Sequence, residues 1–272
     1  MSKSSFDIEG FQIVKSKKSS KKQTRLPRRD INFVKQELEV DIDTVITRIQ
    51  SAVEDLRNSE YLTELSKSVS TVIKNRKVVE IVCFGLGHFA ECNISRYQLA
   101  LLLCLKKACE PQKVLVHDPI FYRDECDILK RLQLDVIDEN NEGSYVISDE
   151  AITIAYFPHC PKQLTNNFLW SNWSANLQKC ILISNSFSSL FDNQPSRIIL
   201  ETVPYIFKIH TYTSEIVLQN SFKYTDIFND TSIHHFSVER IDETDFWNKG
   251  EKPNYENTEE FITSHMVEKL NI

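Results

Sequence analysis

The side chains with the greatest chemical capacity gather at four points, each just after a short apolar run. Gly85-Leu86-Gly87-His88-Phe89-Ala90 fits a G-x-G-x-x-A turn, where glycine permits positive φ and close approach of a phosphate or nucleoside. A tight turn without a ligand fits the same residues, because the acid usual about 20 residues later is not well placed. Asp118, in His117-Asp118-Pro119, is farther along; it could accept from ribose hydroxyls or simply cap the next turn. In Pro158-His159-Cys160-Pro161, His159 could serve as acid, base or ligand, and Cys160 as a thiolate nucleophile or haem ligand. The alternative is a rigid loop bounded by two prolines. Adjacent side chains diverge, so a haem held by Cys160 would take its second axial ligand from His117 or His88 rather than His159. Asn185-Ser186-Phe187 completes the set. No G-x-S-x-G, Walker-A or H-E-x-x-H sequence is present, so these residues form no complete catalytic motif.

Bringing those points together requires a parallel sheet, whose ligands bind outside the carboxyl ends of the strands. The pattern supplies one. Strands are predicted at Val78 to Phe84, Lys113 to His117, Asp135 to Ile137, Ala151 to Phe157 and Cys180 to Ser184, with a crossover helix over Ile94 to Ala108. Two amphipathic helices precede them: Ile42, Val45, Ile46, Ile49, Val53 and Leu56 recur at helical spacing, as do Tyr61, Leu62, Leu65, Val69, Val72 and Ile73. After Pro204 the runs Tyr205 to Tyr212, Glu215 to Leu218 and Ile233 to Val238 read as further strands, including an antiparallel C-terminal hairpin at the sheet edge. Glu259 to Leu270 reads as a last helix. The expected fold is therefore α/β and Rossmann-like, a mainly parallel sheet with helices on both faces. Gly85, Asp118, His159 and Asn185 should meet in one cleft at its carboxyl edge.

A chain of 272 residues with 41% hydrophobic and 26% charged residues suits one α/β domain over residues 36–272, preceded by an arm over residues 1–35. The arm holds KSKKSSKKQTRLPRR, a run without acid; such a segment is expected to be disordered or to act as an import signal. The net charge of −6 argues against direct nucleic-acid binding. No apolar run reaches the ~18 residues of a membrane span, and Met1-Ser2-Lys3-Ser4 lacks the apolar block of a secretory signal. These features predict a cytoplasmic protein, nuclear as well if the arm directs import. Seven scattered cysteines without a C-x-x-C pair predict reduced thiols and no zinc site.

Four blocks in order, IVCFGLGHFAECNISRYQLALLL, VLVHDPIF, AYFPHC and ILISNSF, closely resemble the Sensitivity-to-Red-light-Reduced-like family. The resemblance spans roughly residues 78–187. It implies hallmark residues at Gly85, Gly87, Ser95, Gln98, Asp118, Pro119, Pro158, His159, Cys160, Asn185 and Ser186. It also implies regulation of circadian clock input through protein partners, with animal relatives connected to haem biosynthesis. The competing expectation is an S-adenosylmethionine-dependent, methyltransferase-like enzyme, since a glycine turn, an acid and a Pro-His-Cys loop follow successive strands. A nicotinamide-dependent enzyme is the weaker alternative.

Overall fold

The computed structural model describes residues 41–241 and 244–255. The arm over residues 1–35 and the helix expected over Glu259 to Leu270 lie outside these residues.

Asp41 and Ser59 open the first two helices, α1 (Ile42–Arg57) and α2 (Glu60–Ile73), by accepting from the amides of Thr44 and Leu62. Both caps satisfy N–H groups that the helix itself leaves unpaired. Strand β1 (Val78–Phe84) is buried at every position, as befits a central strand covered on both faces. It is followed by α3 (Asn93–Cys109), β2 (Lys113–His117), α4 (Arg123–Arg131), β3 (Asp135–Val136) and β4 (Ile152–Tyr156). Then come α5 (Lys162–Ser171), β5 (Cys180–Asn185), α6 (Phe187–Asn193), α7 (Ser196–Thr202), α8 (Pro204–Ile209), β6 (Thr213–Val217) and β7 (Thr231–Phe236).

The sheet runs β3-β2-β1-β4-β5-β7-β6. The first five strands are parallel, and β7 is antiparallel to both β5 and β6. Side chains alternate across it with the period of two that a strand imposes. Ile81, Cys83, Ile154, Tyr156, Ile181 and Ile183 face a core built with α1 to α4. Val82, Phe84, Ala155, Phe157, Cys180 and Leu182 face the opposite core under α5 to α8. Fold class, five parallel strands and the antiparallel C-terminal pair agree with the sequence reading.

The stretch Tyr205 to Tyr212 does not. It forms α8 and a following 3-10 turn. Pro204 presets φ for a first helical turn, and buried Asn166 Oδ1 accepts from the amides of Tyr205 (2.8 Å) and Ile206 (3.2 Å). Short apolar runs do not separate strand from helix by periodicity, and here the deciding cap lies in another element.

Candidate functional site

Because β6 runs in the same direction as β1, the connection from β6 to β7 leaves it at the carboxyl edge of the sheet. Its residues 218–230 fold back over α1, α2 and α3. Phe228 stacks on Tyr61 with centroids 4.5 Å apart, and Lys223 pairs with Asp55 at 2.7 Å. Asp55 also accepts from Tyr97 Oη at 2.5 Å. A cleft of about 350 Å³ lies at the ends of β1, β2 and β4, and the connection braces two of its lining residues, Gln98 through Ile227 O and His159 through Asn229 O.

Nine of the eleven hallmark residues line this cleft: Gly85, Gly87, Ser95, Gln98, Asp118, Pro119, Pro158, His159 and Cys160; His117, the candidate axial ligand, lines it too. Ser95 and Gln98 were reached only through the family resemblance; both are buried on the first turns of α3. Asn185 and Ser186 do not line it. Asn185 Nδ2 reaches Cys160 O at 3.5 Å from behind, while Ser186 caps α6 by accepting from Ser189 N at 3.0 Å. The expected meeting of four strand ends is therefore a meeting of three, with Asn185 supporting the third.

The glycine turn is tight for reasons internal to the protein. Gly85 and Gly87 have φ of 72° and 76°, the left-handed region that a Cβ disfavours. A Cβ on Gly85 would stand 2.3 Å from Cys160 Sγ, and one on Gly87 would stand 2.8 Å from Ser95 Oγ. The backbone groups that approach so closely belong to the fold. Gly85 N–H donates to His117 O at 3.1 Å, and Gly87 N–H to Asp118 Oδ2 at 2.7 Å. The turn accordingly spends amides that a phosphate cradle would need.

Asp118 differs from its expected role for the same reason. Its Oδ1 accepts from Ile120 N at 3.1 Å, so each carboxylate oxygen already holds a backbone amide. Burial raises its pKa above the ordinary aspartate value, against the opposing pull of the Ile120 and Gly87 amides. Asp118 is first a clasp between the β1 and β2 turns.

His159 has φ of 48°, an uncommon conformation for a residue with a Cβ. Its ring is held at both nitrogens: Nε2–H donates to Asn229 O at 2.9 Å, and Nδ1 accepts from Gln98 Nε2 at 3.3 Å. These partners fix the Nε2–H tautomer and leave the ring no nitrogen for base catalysis. Cys160 is buried, and its thiol donates to Phe84 O at 3.0 Å. Burial pushes its pKa well above the ordinary thiol value. The open thiolate expected for a nucleophile or haem ligand is therefore absent at Cys160, since burial favours the neutral thiol. The proposed axial partners do not assemble either. His88 lies outside the cleft lining, bound through Nδ1 to buried Glu125 (3.0 Å) and stacked on Tyr122 (3.9 Å). His117 donates through Nδ1–H to Ile137 O at 2.7 Å.

Sequence reasoning missed Cys92, Ile94, Ile120 and Asn140, all of which line the cleft. Cys92 had a legible signal, for it immediately precedes the α3 pattern at the N-cap position. Burial opposes its ionisation, but the amides of Ser95 and Ile94, the Ser95 hydroxyl and nearby Arg96 together bring its pKa below the ordinary thiol value. Iodoacetamide at neutral pH should therefore alkylate Cys92 well before Cys160 in the folded chain. Peptide mass spectrometry over a time course checks the order; equal rates would remove the difference in environment.

The cleft, with apolar walls and polar groups tied into the fold, lies at the carboxyl edge of a Rossmann-like sheet, the edge at which α/β proteins of this class carry their ligand sites. The SRR1 domain family model matches residues 56–235, so the chain belongs to this family. It is 32% identical over 208 residues to the SRR1-like protein of Mus musculus, covering 64% of this chain and 83% of that one. The SRR1-like protein of Drosophila melanogaster is 27% identical, covering 94% and 93% respectively. Protein SENSITIVITY TO RED LIGHT REDUCED 1 of Arabidopsis thaliana is 28% identical, covering 64% of each chain. Among solved structures, the crystal structure of MtNAS in complex with MTA and tNA aligns over 72% of this chain and 70% of that one. Its TM-score is 0.38 at 17% identity. No described helix is long and apolar enough to cross a membrane.

Proposed function

We propose that this chain is a regulatory protein in circadian clock input and that its cleft senses a ligand without turning it over. The observation carrying this reading is the engagement by the fold of three reactive groups that the sequence pointed to: Asp118 by two amides, both His159 nitrogens, and Cys160 as a buried thiol. Catalysis needs an acid, base or nucleophile able to change state against a substrate, and these three are committed elsewhere. Family membership and the printed name of the Arabidopsis relative support a light-linked pathway. Protein partners would read the liganded state. Control of haem biosynthesis fits this reading as a regulated pathway, whereas iron ligation at Cys160 does not fit its burial. Residence in the cytoplasm, with nuclear entry through the basic arm, belongs to the same proposal.

The alternative is a methyltransferase-like enzyme. The strand order, with β7 inserted antiparallel between β5 and β6, is the arrangement such S-adenosylmethionine folds use, although fold alone does not carry activity.

The test is rescue of a luciferase rhythm in cells lacking the protein. The intact chain should restore the period, and Ile120→Trp, which fills the cleft, should not, provided that its melting temperature is kept. A rhythm indifferent to loss of the protein would overturn the clock reading. Methyl transfer from labelled S-adenosylmethionine by the purified chain would favour the alternative.

A further inference from the structure

The hydrogen-bonding sense of the cleft is one-sided. Its donors are consumed internally: the amides of Gly85, Gly87 and Ile120, both Gln98 Nε2 interactions, and His159 Nε2–H all end on protein atoms. Its acceptors face a different situation. His117 must carry its proton on Nδ1, because Ile137 O can only accept. Nε2 of this ring lies 3.4 Å from Asn140 Oδ1, so His117 is engaged by the protein at both nitrogens. Asp118 supplies the remaining acceptor, a carboxylate whose partners are both neutral amides. Among the described lining residues none is lysine or arginine, so no side-chain cation neutralises an incoming anion there. Phosphate recognition relies on free amides, a guanidinium or an ammonium. The cleft offers instead apolar walls from Leu86, Ile94, Pro119, Ile120 and Leu164, together with the Asp118 carboxylate. Its volume, about 350 Å³, falls in the range of small-molecule sites.

We propose that the cleft takes a phosphate-free, donor-bearing ligand of nucleoside size, uncharged or cationic, and discriminates against the same ligand carrying a 5′-phosphate. This rests on the sensing reading above and supplies its ligand class. Hydroxyl or amine donors would meet the outer lone pairs of Asp118, while a phosphate would be desolvated beside that carboxylate without compensation.

The experiment is calorimetric titration of the intact chain with adenosine, S-adenosylhomocysteine and S-adenosylmethionine against 5′-AMP and ADP. At least one phosphate-free compound should bind, and adenosine should bind at least tenfold tighter than 5′-AMP. Equal or tighter binding of 5′-AMP would overturn the proposal, as would failure of all three phosphate-free probes. Ile120→Lys places a cation in the wall and should shift the adenosine to 5′-AMP affinity ratio at least tenfold toward the nucleotide. An unchanged ratio in the folded variant would place binding outside this cleft and overturn the proposal. If that variant does not fold, protection of Cys92 from iodoacetamide by the bound compound in the unmodified chain decides the location; absence of protection is again fatal. The rhythm assay separates the two levels: a restored rhythm without phosphate-free binding defeats the ligand class alone, and a rhythm indifferent to the protein defeats the sensing reading.

Discussion

Replacing Gly85 with alanine is expected to destabilise the protein by about 2–5 kcal/mol, the sum of two separable effects. The first is backbone strain. At φ of 72° an L-residue costs about 1–2 kcal/mol relative to glycine. The second is steric, because the new methyl would stand 2.3 Å from Cys160 Sγ; overpacking of this kind costs typically about 1–3 kcal/mol. Cys160→Ala in the same chain removes the sulfur, whose Cβ would remain at an ordinary 3.6 Å from the new methyl. It leaves the strain untouched. The double variant should therefore be less destabilised than the sum of the two single variants by about 1–3 kcal/mol, measured by urea denaturation with a common slope. Strictly additive costs would show that the glycine is needed for φ alone and that the thiol does not press on the turn.

That coupling explains which parts of the site the sequence could express. Val78 to Phe84 announces a central strand by six apolar residues of seven, with Glu80 the exception, and the G-x-G that follows announces a turn. Why the glycines are required is not legible there, because the atoms they avoid belong to Cys160 and Ser95, far along the chain or on the next helix. Asp118 was legible as a residue after a strand, but its commitment to Gly87 and Ile120 depends on how two loops meet. The ring of His159 is fixed by Gln98 and by a carbonyl in the β6 to β7 connection, a partner with no local signature. Asn140 lies three residues beyond the predicted strand Asp135 to Ile137, and Asp138 and Glu139 separate it from the position directly after that strand. Ser95 and Gln98 carry no chemistry by spacing, and only the ordered resemblance pointed to them. Local pattern thus locates the cleft edge, whereas long-range hydrogen bonds decide whether its residues are free to act.

Glu80 gives the other large effect. It sits on β1 at 1% exposure, an acid in the middle of a central strand, where an unpaired charge would be costly. Four donors compensate it: Thr153 Oγ1 (2.8 Å), Ser148 N (2.9 Å), Tyr145 Oη (2.9 Å) and Lys113 Nζ (2.9 Å). Burial alone would raise its pKa, yet Lys113, Thr153, Ser148 and Tyr145 together hold it below the ordinary glutamate value. In Glu80→Gln the amide oxygen can still accept from Thr153 and Ser148, but its NH2 group faces the two remaining donors. A loss of about 2–4 kcal/mol at pH 7 is expected. Lys113→Met should cost less, because that ammonium is half-exposed and three neutral donors remain. The difference between the parent and Glu80→Gln should also depend on pH. A folded-state pKa below the unfolded value gives stability that is fully present above the unfolded value and is lost as pH falls through the folded one. The gap should hold from pH 7 to about pH 5, then shrink below the unfolded glutamate value near ~4.3. Glu215 adds its own acid sensitivity: burial opposes its charge, but His234, Ser186 and Ser188 keep its pKa far below the ordinary value. That contribution is common to both proteins and cancels in the difference. Denaturation curves at pH 7, 5, 4 and 3 check the expectation, and a gap that stays constant to pH 3 would mean that the four donors do not recognise the charge on Glu80.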